Sequence, residues 1–220
     1  MKSTSSRLAY LDAMGVQVWQ ERLAPEDVEP GAREPIQVNN LSELYEMTNA
    51  CQRCDVSELR QKVVFGEGYE QAKLLIIGDF PTKQDDAQGT PFNGNEGQLL
   101  DNMLFACGIK KSSAYLTVST KCHSSVSEEE KQAELSACRE YLIKQIAFIN
   151  PSVVLVFGEQ AARSLLKSAS SLSELRQKPC SVDDVSSPVI VSHAPSHLLE
   201  TPLAKKQSWA DVRLAQSLIK

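Results

Sequence analysis

Four cysteines constrain this chain more than any other feature. Cys51 and Cys54 form a C-x-x-C pair, Cys122 follows 68 residues after Cys54, and Cys138 lies 16 residues further on. Thiolates from points this distant in sequence can converge on one metal centre, and four of them suit an iron–sulfur cluster or a structural zinc. The alternative for such cysteines is reduced thiols packed in a core. Six cysteines would allow three disulfides. The start, Met1-Lys2-Ser3-Thr4-Ser5-Ser6-Arg7, has no apolar region behind it and does not read as a secretory signal. A reduced, cytoplasmic setting is therefore expected, and it favours metal ligation over cross-links. Cys107 sits in the apolar stretch LLDNMLFACGI and is expected to pack, and Cys180 lies in a loop-like stretch.

The chain has 220 residues, enough for one ordinary domain with a small appendage. No apolar run reaches the roughly 18 residues needed to cross a bilayer, so no membrane association is expected. The net charge is −5. Proteins that grip DNA phosphates usually carry a basic surplus, because counterion release drives that binding. The acidic total lowers the expectation of strong autonomous DNA binding and leaves room for a protein partner. A weak contact with DNA would fall to Lys110, Lys111, Lys121, Arg139, Lys205 and Lys206.

Three parts appear along the chain. Residues 1–23 hold a short amphipathic segment: Ser5 or Ser6 can cap a helix carrying Leu8, Leu11 and Met14, and Gly15 is a natural stop. Residues 24–37 are rich in proline and acid and read as a flexible linker. From residue 38 to 220 short apolar runs alternate with helical stretches. Residues 73–78 (KLLIIG), 114–118 (AYLTV), 152–157 (SVVLVF) and 188–191 (PVIV) are expected to be strands covered on both faces. Helices are expected near 96–107, 128–149, 159–167 and 203–219. This alternation predicts a three-layer α/β domain with a mainly parallel, four-stranded central sheet, whose sites gather at the carboxyl ends of the strands.

Several motifs, in order, resemble the iron–sulfur uracil-DNA glycosylases of family 4. They are Cys51-Gln52-Arg53-Cys54, VVFGEG (63–68), LLIIGDFPTKQDDAQGTPFNG (74–94), GQLLDNML (97–104), Thr120-Lys121-Cys122, Cys138-Arg139-Glu140-Tyr141-Leu142, NPSVVLVFGEQAA (150–162) and HAPSHLL (193–199). The resemblance covers about residues 48–212. It implies a uracil-DNA glycosylase-like fold and a [4Fe–4S] cluster held by Cys51, Cys54, Cys122 and Cys138, stapling the segment before the sheet to the helix near Cys138.

A uracil-excising pocket must take an extruded base, hold its Watson–Crick edge, activate water and stabilise the departing anion. The family's P-F-x-G stretch stands here as Pro91-Phe92-Asn93-Gly94, with Phe92 placed to stack on a base. Its G-E-A-P-G motif stands as Gly78-Asp79-Phe80-Pro81-Thr82, with a shorter carboxylate, and bulky Phe80 is expected to obstruct the base. The family's base-reading asparagine aligns with Val118, which cannot pair with a base edge. Its H-P-x-x-L-L loop aligns by the leucines with Ala194-Pro195-Ser196-His197-Leu198-Leu199, so the catalytic histidine position is Ala194. His193 is a neighbouring substitute, and Asp79, Asp85 and Asp86 remain as carboxylates, each able to activate water but expected to be a solvated loop acid. These departures predict a vestigial pocket (Asp79, Phe92, Val118, His193) with no catalytic residue.

Ser6-Arg7-x-x-x-Leu11-x-x-Met14-Gly15-Val16-x-x-Trp19 resembles the N-terminal peptide of the psi subunit of bacterial DNA polymerase III. That resemblance implies docking on the clamp-loader subunits gamma/tau through Arg7, Leu11, Met14, Gly15, Val16 and Trp19. It also implies binding of the chi subunit and, through chi, of single-strand-binding protein. Two functions are thus expected in order of preference. The first is a non-catalytic psi-like subunit on a degenerate glycosylase body. The alternative is an active, divergent iron–sulfur uracil-DNA glycosylase.

Overall fold

The computed structural model describes residues 35–124 and 128–219. In chain order the strands are β1 (Glu67–Gly68), β2 (Leu74–Gly78), β3 (Ala114–Val118), β4 (Val153–Phe157), β5 (Cys180–Val182) and β6 (Val185–Ser192). The α-helices are α1 (Leu41–Asn49), α2 (Lys83–Gln88), α3 (Gly94–Ala106), α4 (Glu128–Ile149), α5 (Glu159–Leu166), α6 (Leu172–Leu175), α7 (Pro195–Glu200) and α8 (Lys205–Leu218).

The apolar runs form strands because both of their faces find cover. In β2, Leu74 and Ile76 enter one core with Leu100 and Leu104 of α3, Leu198 of α7 and Val212 of α8. Leu75 and Ile77 enter the opposite core with Leu142 and Ile146 of α4 and Ala161 and Leu165 of α5. All five residues of β2, β3 and β4 are buried. Burying each large aliphatic side chain contributes about 1.5–3 kcal/mol, against about 0–1 kcal/mol for an exposed ion pair. Apolar burial on both faces therefore holds the three layers together.

The sheet has six strands in the order β1-β3-β2-β4-β6-β5. The four expected strands are its parallel centre, with β2 paired to β3 and β4, and β4 to β6. The expected four-stranded sheet is extended by two antiparallel edges, β1 on β3 and β5 on β6. Two- and three-residue edge strands carry too short a pattern to read in sequence. Cys180, expected in a loop, opens β5.

The chain leaves β2 for β3 on one side and returns past it to β4 on the other, so the connections reverse at β2 and β4. A crevice opens at the carboxyl ends of strands at such a reversal, the usual place for a ligand in an α/β sheet. A smaller third cluster of Ile36, Leu44, Val63, Phe65 and Tyr141 lays α1 against α4. No helix among the described residues is long and apolar enough to cross a membrane.

Candidate active site and thiol pocket

The crevice at the reversal holds a cavity of about 240 Å³ lined by residues from four segments. Gly78 ends β2 and Asp79, Phe80 and Thr82 follow it, Phe92 and Glu96 come from the entry to α3, Val118 ends β3, and Ala194, Pro195 and Ser196 open α7. Phe157 and Asp85 complete the wall. Phe80 forms part of this wall without closing it, which corrects the expectation that its bulk obstructs the pocket.

Phe92 adopts φ 57°, an unusual conformation for a side-chain-bearing residue, and is 7% exposed. The surrounding chain holds it there. Its ring lies over Gly78, and its carbonyl abuts Gly97, where an added Cβ would come within 1.8 Å of that oxygen. Phe92 is thus a fixed part of the cavity wall.

Asp79 turns its carboxylate toward the start of α5, where Oδ1 accepts the Ala161 N–H at 2.7 Å. Burial pushes its pKa up to about 7, the N–H groups of Ala161 and Gln160 pull the other way, and the Glu159 and Glu96 charges add to the rise. Ser119 holds the Asp79 main-chain carbonyl with both its N–H and its hydroxyl. Glu96 also titrates above the usual range, through burial and then the Asp85 charge.

Like Asp79, Asp85 and Asp86 are not the solvated loop acids expected from the sequence; they are 2% and 3% exposed. Asp85 forms a capping box with Thr82 at the start of α2 and accepts from the Asn93 main chain and side chain at 2.8 and 2.9 Å. Asp86 accepts from the N–H groups of Gln61 and Lys62. Both carboxylates shape the wall by satisfying backbone donors, a use of buried charge that composition does not reveal.

His193 does not line the cavity; its neighbour Ala194 does. Arg176, paired with buried Asp211 at 2.7 and 2.8 Å, donates from Nη1 to His193 Nε2 at 2.9 Å. The same Nε2 lies 3.1 Å from Gln207 Oε1; burial lowers the imidazole pKa and the Gln207 contact opposes that shift. His193 stacks on His197 at 5.0 Å instead of replacing the histidine missing at position 194.

Val118 lines this cavity, and Lys121 and Cys122, further along the same stretch of chain, line a second, enclosed pocket. Cys51, Cys54, Cys122 and Cys138 all line that second pocket, with Arg53, Arg60, Lys121 and Tyr141. The four thiols arrive from the turn after α1, the turn after β3 and the body of α4, and all are free of disulfides. Among the described residues no three His, Cys, Asp or Glu side chains are grouped closely enough to hold one metal ion. Burial pushes the Cys138 thiol up to about 12 and raises Cys122, while Arg60 draws Cys122 back down.

Lys121, offered above as a DNA contact, is 1% exposed. Its Nζ donates to Thr117 Oγ1 at 2.6 Å, Gln145 Oε1 at 2.8 Å, Val118 O at 3.0 Å and Phe65 O at 3.3 Å. A lysine with four internal acceptors cannot meet a phosphate, and it ties the end of β3 to α4. Arg139 is likewise engaged, with Asp184 at 3.0 Å and with main-chain carbonyls of α5. Lys111 lies 3.4 Å from Asp101 and 3.7 Å from Glu67.

The described residues thus define a three-layer α/β body with a pocket at the strand reversal and a separate thiol pocket beside it. The profile of the uracil DNA glycosylase superfamily matches residues 65–216, and the chain belongs to that superfamily. It is 29% identical over 126 residues to a type-4 uracil-DNA glycosylase of Archaeoglobus fulgidus, covering 57% of this chain and 63% of that relative. It is 26% identical over 181 residues to a type-4 uracil-DNA glycosylase of Pyrobaculum aerophilum, and 29% over 179 residues to one of Thermotoga maritima. Each of these alignments covers 80% of this chain and 92% of the relative.

These relatives overturn the preferred expectation of a non-catalytic psi-like subunit and favour the alternative, a glycosylase. The short N-terminal motif carried that expectation on few positions, against a glycosylase match running through most of the chain. Arg7, Leu11, Met14, Gly15, Val16 and Trp19 lie outside the described residues.

Proposed function

We propose that the protein is a DNA glycosylase of the type-4 kind, hydrolysing the N-glycosidic bond of a uracil turned out of DNA. The observation that carries this reading is the cavity at the strand reversal, where Phe92 and Asp79 line one space large enough for a base. The base stacks on Phe92, and Phe157 and Val118 exclude water from its other sides. Asp79, ionised, orients and deprotonates the attacking water, and its pKa near 7 matches a general base at neutral pH. Ser196, which also lines the cavity, supplies a hydroxyl to donate to the departing base.

Cys51, Cys54, Cys122 and Cys138 fit a [4Fe–4S] cluster: four buried or half-buried thiols surround one enclosed pocket with no competing acid among its walls. A cluster offers each thiolate its own iron, whereas one zinc draws all four to about 2.3 Å. When bound, the cluster supplies a structural cross-link beside the active site.

Oligonucleotides with a single uracil, single- and double-stranded, test the activity through cleavage at the abasic site left behind. Uracil release is expected to rise with pH to a plateau above about 7, because an acid with a raised pKa acts as a base only once ionised. Asp79→Asn is expected to lower the rate by about 10² or more and to remove that pH limb. No release from any uracil substrate would defeat the proposal, and an unchanged pH limb in Asp79→Asn would defeat the assignment of the base.

A further inference from the structure

The wall between the thiol pocket and solvent turns on one cation. Arg60 Nη1 lies 3.3 Å from Cys122 Sγ and donates to the Cys51 carbonyl at 3.1 Å, while Nη2 donates to the Asn49 carbonyl at 2.6 Å. One guanidinium thus spans two of the three thiol-bearing segments. Arg60 also lines an outer, open cavity of about 490 Å³ with Tyr45, Asn49, Gln61, Lys62 and Gln88. It therefore stands between the thiols and the solvent.

The other arginine at the thiol pocket is different. Arg53 is paired with Glu140 at 2.6 Å, so its charge is offset locally. No carboxylate pairs with Arg60 among the described residues, and its charge bears on the sulfur. Hydrogen bonds to ligand sulfurs, net charge and solvent access are the levers by which a protein sets the behaviour of an iron–sulfur cluster.

We propose that Arg60 is a positioning residue for the cluster: its N–H to Cys122 Sγ and its positive charge hold the cluster in place and raise its reduction potential. The proposal rests on the cluster assignment made above. The sign follows from charge. Reduction adds an electron to an already anionic centre, and a neighbouring cation stabilises the more negative state.

The test uses the full-length protein with its cluster as purified, with iron and sulfide analysis first. Arg60→Met keeps the bulk of the wall and removes the donor and charge; Arg60→Lys keeps the charge and loses the fork. Dye-mediated titration followed by visible absorbance is expected to place the midpoint potential of Arg60→Met below that of the parent, with Arg60→Lys between them. Loss of the visible band in excess chelator is expected to be several-fold faster in Arg60→Met, a change that fold stability alone would not order in this way. Equal potentials in all three proteins would overturn the proposal. Parent protein free of iron, or holding zinc, would overturn the cluster assignment itself.

Discussion

Val118 lies in the wall shared with Phe92 and Asp79, is 2% exposed, and occupies the position at which the family resemblance leads one to expect an amide. An isopropyl group excludes water but leaves a base edge without partners. Pockets that read polar groups by hydrogen bonds discriminate by about 10⁴ or more, and an apolar wall forgoes most of that. Val118→Asn is therefore expected to raise uracil release by about tenfold or more in single-turnover assays. The folded state would lose about 1–3 kcal/mol, because the new amide is buried without a partner until a base enters. A rate unchanged or lowered in protein of confirmed fold would show that Val118 does not face the base. Asp79 was legible as a candidate from its motif. Its anchoring by the start of α5 was not, since that contact spans 82 residues.

The junction from β4 to α5 shows what an element boundary demands. Gly158 adopts φ +113°, and a Cβ there would stand 2.0 Å from an Asp79 carboxylate oxygen. Glycine is needed both for the backbone and for the close approach of the carboxylate to the α5 amides. Gly158→Ala is expected to cost about 3 kcal/mol or more in denaturant unfolding, since strain and overpacking add. It should also displace Asp79 and cut uracil release. At this scale the sequence announced the long elements well. The central strands and helices α3, α4, α5 and α8 appear within a few residues of their expected bounds, because their apolar patterns are long and covered on both sides. Helices α1, α2, α6 and α7 went unread, being four to nine residues long with little periodicity. The α2 capping box was in plain view as Thr82-x-x-Asp85.

Across the whole molecule the thiol pocket and the base pocket share one stretch of chain. Val118 walls the base cavity, Ser119 holds the Asp79 carbonyl, Lys121 is buried against α4, and Cys122 faces the thiols. On the other side, Glu140 of α4 accepts from Arg53 and from the Ile36 N–H, each at 2.6 Å, and so fastens the C-x-x-C segment and the start of the described chain to the same helix. The two large cores pack the sheet without help from the thiols, whereas the small core of Ile36, Leu44, Val63, Phe65 and Tyr141 is the one next to them. A cross-link that closes a loop of this length contributes up to about 4 kcal/mol by chain entropy. For a chain of this size that corresponds to roughly 10 °C in Tm. Chelating the cluster, or replacing Cys122 and Cys138 by serine, is therefore expected to lower Tm by about that amount while leaving the far-UV circular dichroism of the α/β body largely intact. Limited proteolysis of the stripped protein should then cut first within residues 50–62 and 119–124. Uracil release should fall with it, because the β3–Cys122 segment positions both Val118 and Asp79. Cooperative loss of the entire dichroism signal on chelation would show instead that the sheet itself depends on the thiol pocket, and that the two large cores do not stand without it.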